Sequence, residues 1–174
     1  MPAAPTLAAL ALLPATVLPC TTVEATFDRP DGIAPVTAVS FVPEAVPYGA
    51  TARVVVERAG GTTTVSMEVD GLTPDHTYPV HAHVRGCGTA PGDSGPHYQD
   101  VPDPVQPSTD PGYANDHNEL WLTLRTDSLG RAAAHSTVAW EFRPGGAGAL
   151  VLHAGEDGQG HSLAQRVGCV NVDF

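Results

Sequence analysis

Tyr78 to Cys87 reads YPVHAHVRGC. In a β-strand, residues two apart point to the same side of the sheet. Read as a strand, this stretch puts Pro79, His81, His83 and Arg85 on one side and Val80, Ala82 and Val84 on the other. The apolar side belongs against a core, which leaves both imidazoles on the outer surface of a sheet. Two imidazoles held in parallel are half of a metal site. On their own they are more often two polar residues on a strand, so the other half has to come from elsewhere in the chain.

The flanking text supports a strand. Ala50–Arg58 and Thr62–Asp70 enclose Ala59-Gly60-Gly61, a hairpin signal. In the second arm Val65, Met67 and Val69 alternate with Thr64, Ser66, Glu68 and Asp70. Val36–Val42 reads as a further strand, and Thr21–Phe27 as a weak first strand or a tether. After the histidine stretch, Gly86 to His117 shows no periodicity and is rich in Pro, Gly and Asp; a loop of that length inside a compact domain is usually functional or disordered. Strands resume with Leu120, Leu122 and Leu124 on one face. Arg131–Phe142 follows, with Val138, Trp140 and Phe142 aligned. In Ala149–Ala154, Leu150 and Leu152 point inward and Val151 and His153 outward, and the last strand is Leu163–Val172. About eight short strands, turns between them and no amphipathic helix predict an antiparallel sandwich or barrel.

A chain of 174 residues suffices for one domain with a sizeable core. Its net charge of −11, with no lysine and only arginine as cation, argues against a nucleic-acid partner and against an anionic membrane surface. A small anionic substrate would need a local positive spot to overcome that field. Residues 1–20 include LAALALLPATVL and resemble the apolar part of a secretory signal peptide, too short and Pro-broken to span a membrane. Cys20 sits where a lipid-bearing cysteine of the cell envelope would sit, although Pro19 is a poor neighbour for that role. Either reading places the domain, expected over 36–174 behind a tether at 21–35, outside the cytoplasm as a secreted or envelope protein. Cys87 and Cys169 then remain as an even pair suited to a disulfide.

Among the eight histidines, His97 lies in the long loop and His153 faces out from a late strand. Each alone is unremarkable. With His81 and His83 they make four imidazoles that one fold could gather, a donor set suited to copper, zinc, iron or nickel. His76 reads as a turn residue, His135 as a surface residue and His161 as part of a glycine-rich loop, while Trp121 and Trp140 read as packing residues.

HAH (81–83), Cys87, GPHYQ (95–99), LHAGEDG (152–158) and RVGC (166–169) together resemble the copper/zinc superoxide dismutases, in order and approximate spacing, from about Val36 to the C-terminus. The resemblance implies an all-β, immunoglobulin-like Greek-key barrel or sandwich with a long metal-site loop. It implies that His81, His83, His97 and His153 bind copper, that Cys87 and Cys169 form an intrasubunit disulfide, and that Arg166 guides superoxide to the metal. The activity implied is conversion of superoxide to dioxygen and hydrogen peroxide. Family members also carry zinc on two further histidines and an aspartate in the loop. Here Tyr98 to Asn118 offers only His117, with Asp100, Asp103, Asp110 and Asp116, residues that turns also use. Copper without zinc is therefore expected. The interval from His153 to Arg166 is short, so a copper more open to solvent is expected, and Asp157 is read as a turn residue. The alternative is an extracytoplasmic copper-binding module for storage or delivery, without turnover; Arg166 and the cysteine pair favour the enzyme.

Overall fold

The computed structural model describes residues 20–31, 36–155 and 165–174. The leader-like segment before Cys20, together with Asp157 and His161, lies outside them. Among the described residues nine strands form: β1 (Cys20–Asp28), β2 (Ala38–Ser40), β3 (Thr51–Ala59), β4 (Thr62–Asp70), β5 (Thr77–His83), β6 (Trp121–Arg125), β7 (Ala132–Val138), β8 (Ala149–His153) and β9 (Arg166–Asn171). The one helical element among the described residues is a single 3-10 turn, Pro91–Ser94. The strands make one sheet in the order β6-β5-β8-β9-β2-β1-β3-β4-β7. Its two end strands, β6 and β7, follow each other in the chain and pack side by side, so the sheet curls into a nearly closed barrel.

Alternation builds that barrel as the sequence predicts. Val54 and Val56 of β3, Val65 and Met67 of β4, Leu122 and Leu124 of β6, and Leu150 and Leu152 of β8 are all buried in one core. Removal of each such side chain from water is worth about 1.5–3 kcal/mol. The β3–β4 hairpin closes on Gly60 and Gly61, both at positive φ (59° and 81°), and Ala59 pairs with Thr62. A two-residue turn with both residues in that region matches the strand twist and favours glycine.

Two elements sharpen or depart from the sequence reading. Of the two readings of Thr21–Phe27, the structure shows a strand: β1 pairs with β3 from Cys20↔Glu57 to Thr26↔Thr51, and Phe27 is buried. It meets β2 in parallel, Phe27↔Ala38, an exception to the expected antiparallel pattern. The ladder of β7 ends at Val138, and Trp140 and Phe142 leave it to pack around Tyr98 at ring distances of 5.6 and 4.7 Å.

The long loop is ordered by its own polar side chains. Asp103 Oδ1 accepts from Val105 N–H (2.8 Å) and Asp110 Oδ1 from Gly112 N–H (2.8 Å). Asn118 clamps Val101 from both backbone sides at 2.7 and 2.9 Å. Cys87 and Cys169 are disulfide-bonded across a sequence separation of 82. The bond ties the start of the loop to β9 and, with Phe41, covers Ala149 and Val151 on the outer face of β8.

Candidate metal centre

β5 presents His81 and His83 on its outer face, and the neighbouring β8 presents His153 at its end. His97 reaches them from the loop. Its segment runs beside the end of β5, with a bridge His83↔His97 and hydrogen bonds from Val84 N–H to Pro96 O (3.1 Å) and from Tyr98 N–H to Ala82 O (2.8 Å). The four imidazoles expected from the sequence therefore come together. The ring of His81 stacks on His97 at 4.3 Å, and His83 lies 4.8 Å from His97 and 5.6 Å from His153. Ligand atoms of His83, His97 and His153 all lie within 4.8 Å of one another.

These rings are not on an open surface, as a bare strand face would leave them. His81, His83 and His153 are 3%, 0% and 1% exposed, because the loop roofs the outer face of the sheet. Only His97, with 19% of its side chain exposed, meets solvent appreciably.

Hydrogen bonds fix which ring nitrogens can hold a metal. His83 Nδ1 lies 2.9 Å from Gly95 O, and a carbonyl only accepts, so the network assigns the proton to Nδ1 and the lone pair to Nε2. His83 Nε2 in turn lies 3.4 Å from His153 Nε2. Burial, then the charge of His97, pushes His83 down to about 2, so it is a neutral donor at physiological pH. His97 Nδ1 donates to Glu119 Oε2 at 2.8 Å, which leaves Nε2 as the ring nitrogen open to a metal.

Glu119 is the residue that sequence reasoning missed. It is 2% exposed and lies just before β6. Its carboxylate accepts from His97 Nδ1, from Trp121 Nε1 (2.9 Å) and from Gln99 Nε2 (2.8 Å). Burial pushes this carboxyl up, but the three donors outweigh it and hold it below the usual carboxylate range. The signal was present: Leu120, Leu122 and Leu124 point inward, so Glu119 and Trp121 stand on the outer face. Trp121 sits opposite His81, with its ring edge-on at 5.6 Å, rather than packing in the core. His81, His97 and Glu119 also offer ligand atoms within 4.8 Å of one another, a second way to hold an ion.

The residues considered for zinc do not join the cluster. His117 has 95% of its side chain exposed and lies 3.8 Å from Asp116. Asp100 faces Arg143 at 3.9 Å, and Asp103 and Asp110 organise turns.

Arg166 is placed by a bulge. The β8–β9 register shifts between Leu152 and His153, so Leu152 pairs with Gly168 but His153 with Arg166. Bulges re-aim side chains, and here Arg166 joins the lining of a cavity of about 250 Å³ that His97, Glu119, Trp121 and His153 also line. Arg166 Nη1 donates to Pro91 O (2.8 Å) and Ser94 Oγ (3.1 Å).

No family model matches the chain, and no curated protein sequence matches it. Among solved structures it is similar to a Cu/Zn superoxide dismutase from Brucella abortus, at 15% identity over 88% of this chain and 100% of that one, with a TM-score of 0.53. The fold is that of the copper/zinc superoxide dismutases. At that identity the likeness carries the superoxide dismutase fold alone; what this chain adds is a histidine cluster able to bind metal. The Cys87–Cys169 disulfide points to an oxidising compartment. No helix among the described residues is long and apolar enough to cross a membrane.

Proposed function

We propose that the protein is an extracytoplasmic, copper-dependent superoxide dismutase, with His81, His83, His97 and His153 as ligands and Arg166 as the group that receives the substrate. The observation that carries this reading is the placement of Arg166 opposite His153, on a cavity that the imidazole cluster shares. A protein that only stored metal would have no use for a cation aimed there.

The donor set fits copper. It consists of imidazoles, and the far nitrogens of His83 and His97 are each held by an acceptor. The chemistry a bound copper supplies is one-electron cycling, by which two superoxide anions and two protons become dioxygen and hydrogen peroxide. The chain's own residues do the rest. Arg166 stays cationic and attracts a small anion into a molecule of net charge −11. Glu119 holds the His97 proton at Nδ1, and Gly95 O holds that of His83, so both rings keep Nε2 turned to the centre. The disulfide fixes the strand of Arg166 against the loop that follows the histidine strand.

The same geometry supports a centre without zinc. A second ion beside His97 would have to displace the proton that Glu119 holds, and Glu119 already accepts three donors. Metal analysis and assay of one purified sample test both claims. We expect copper without zinc, and superoxide consumption that rises on copper loading. Tight copper with no consumption would leave a binding module, and one equivalent of tightly held zinc beside copper would overturn the copper-only reading.

A further inference from the structure

Arg85 follows His83 by two residues, just past the end of β5. Its Nε donates to Asp93 O at 2.8 Å, and its backbone N–H donates to Ser94 O at 3.0 Å. The guanidinium packs over Gly95. A Cβ added there would lie 3.2 Å from Arg85 Cζ and 3.3 Å from Nη1, and Gly95 also sits at a φ of 74°, so the position excludes a side chain twice over. Gly95 is the residue whose carbonyl holds His83 Nδ1. Arg85 is thus packed against the support of the imidazole cluster.

Arg166 is anchored on the same four-residue turn, through Pro91 O and Ser94 Oγ. Both guanidiniums are held by neutral oxygens. Among the described residues neither has a carboxylate at ion-pair distance. The turn's own carboxylate, Asp93, is committed elsewhere, accepting from Ala90 N–H at 2.8 Å. Two cations kept near each other without an acid repel. Anchoring both on one turn is explicable if an anion comes to them.

We propose that Arg85 is the outer member of an anion-guiding pair, drawing superoxide toward Arg166 at the mouth of the centre. Arg85 is a positioning residue that acts through its charge. The inference rests on the dismutase reading, and its test separates the two. Arg85→Lys, Arg85→Gln and Arg85→Glu are prepared as full-length, copper-loaded proteins, with copper content measured for each. Superoxide consumption and azide affinity, the latter by optical titration of the copper protein, are followed at low and high salt.

The expected order is Arg ≈ Lys > Gln > Glu in both readouts. At low salt the loss for Glu is roughly three- to tenfold, and it shrinks as ionic strength rises toward about 1 M, where screening acts over about 3 Å. A Lys variant as impaired as Gln overturns the proposal, because the Nε bond to the turn and not the charge would then matter. So does a Glu variant equal to the wild type at every salt concentration. If Arg85→Glu fails to fold, the comparison of Lys with Gln decides. If no protein, wild type included, consumes superoxide, the dismutase reading fails, and the azide order still upholds or overturns the role of Arg85.

Discussion

Glu119 carries a carboxylate almost fully out of water, which is costly unless every oxygen is met. Its three donors meet that demand, and one of them is an imidazole of the cluster. Glu119→Gln keeps the size but brings an amide whose NH2 would face donors. We expect the His97 tautomer to be lost and copper affinity to fall about 10- to 100-fold, the usual cost of losing a group that orients a ligand. Competition with a chelator of known affinity measures this, and unchanged affinity with an intact fold would remove Glu119 from the site. Among the ligands themselves, His81→Ala should weaken copper in the same assay; if copper is held as before, the assignment of His81 is wrong. His81, His83 and His153 were legible because strand alternation turned them outward, and His97 only through the GPHYQ segment that the family resemblance picks out. Glu119 was not, because its partners Gln99 and His97 come from a loop whose course alternation does not encode.

At the level of elements, β3, β4, β6 and β8 followed from alternating side chains, but the bulge at the β8–β9 junction did not. A bulge depends on which strand lies alongside, and a single strand's pattern is silent on that. Yet this register shift sets Arg166 opposite His153. Arg166→Glu should therefore slow superoxide consumption at least tenfold at low salt while copper content stays the same. Equal activity would remove Arg166 from the reaction. β1 was ambiguous for a related reason: its inward residues begin with Thr21 and Val23 and become fully buried only at Ala25 and Phe27. The β6–β7 turn gives a pH test away from the metal. Asp127 Oδ1 accepts from Leu129 N–H (2.8 Å) and Arg131 N–H (2.9 Å), and these bonds, that from Arg131 first, hold its carboxyl below the usual range. A depressed carboxyl contributes stability above its unfolded value, which is lost as pH falls through the folded one. Asp127→Ala should thus lower thermal stability at neutral pH, and the gap should close below about pH 4. A gap that persists in acid would show that the turn does not depend on the ionised carboxylate.

Across the whole molecule, the barrel and the loop are joined at one covalent point. Cys87 begins the loop that carries the Pro91–Ser94 turn and His97; Cys169 lies on β9, three residues after Arg166. Asn171 adds to the seam, accepting from Cys87 N–H (2.8 Å) and donating to Val36 O (3.0 Å). Two consequences follow from one bond. Closing a separation of 82 residues removes disorder from the unfolded chain, worth about 4–5 kcal/mol on the chain-entropy account. That is a large share of the roughly 5–15 kcal/mol that holds a domain folded. The bond also keeps the anchoring turn of Arg166 against its strand. The double variant Cys87→Ser, Cys169→Ser should therefore lose both stability and anion guidance, but by different measures. Denaturant midpoints should fall with an unfolding free energy lower by about 4 kcal/mol. In the still-folded range, the salt dependence of superoxide consumption should flatten, because Arg166 is no longer held at the cavity. A variant that unfolds earlier yet keeps the wild-type salt dependence would confine the disulfide to stability and leave the turn's own hydrogen bonds to position the arginine.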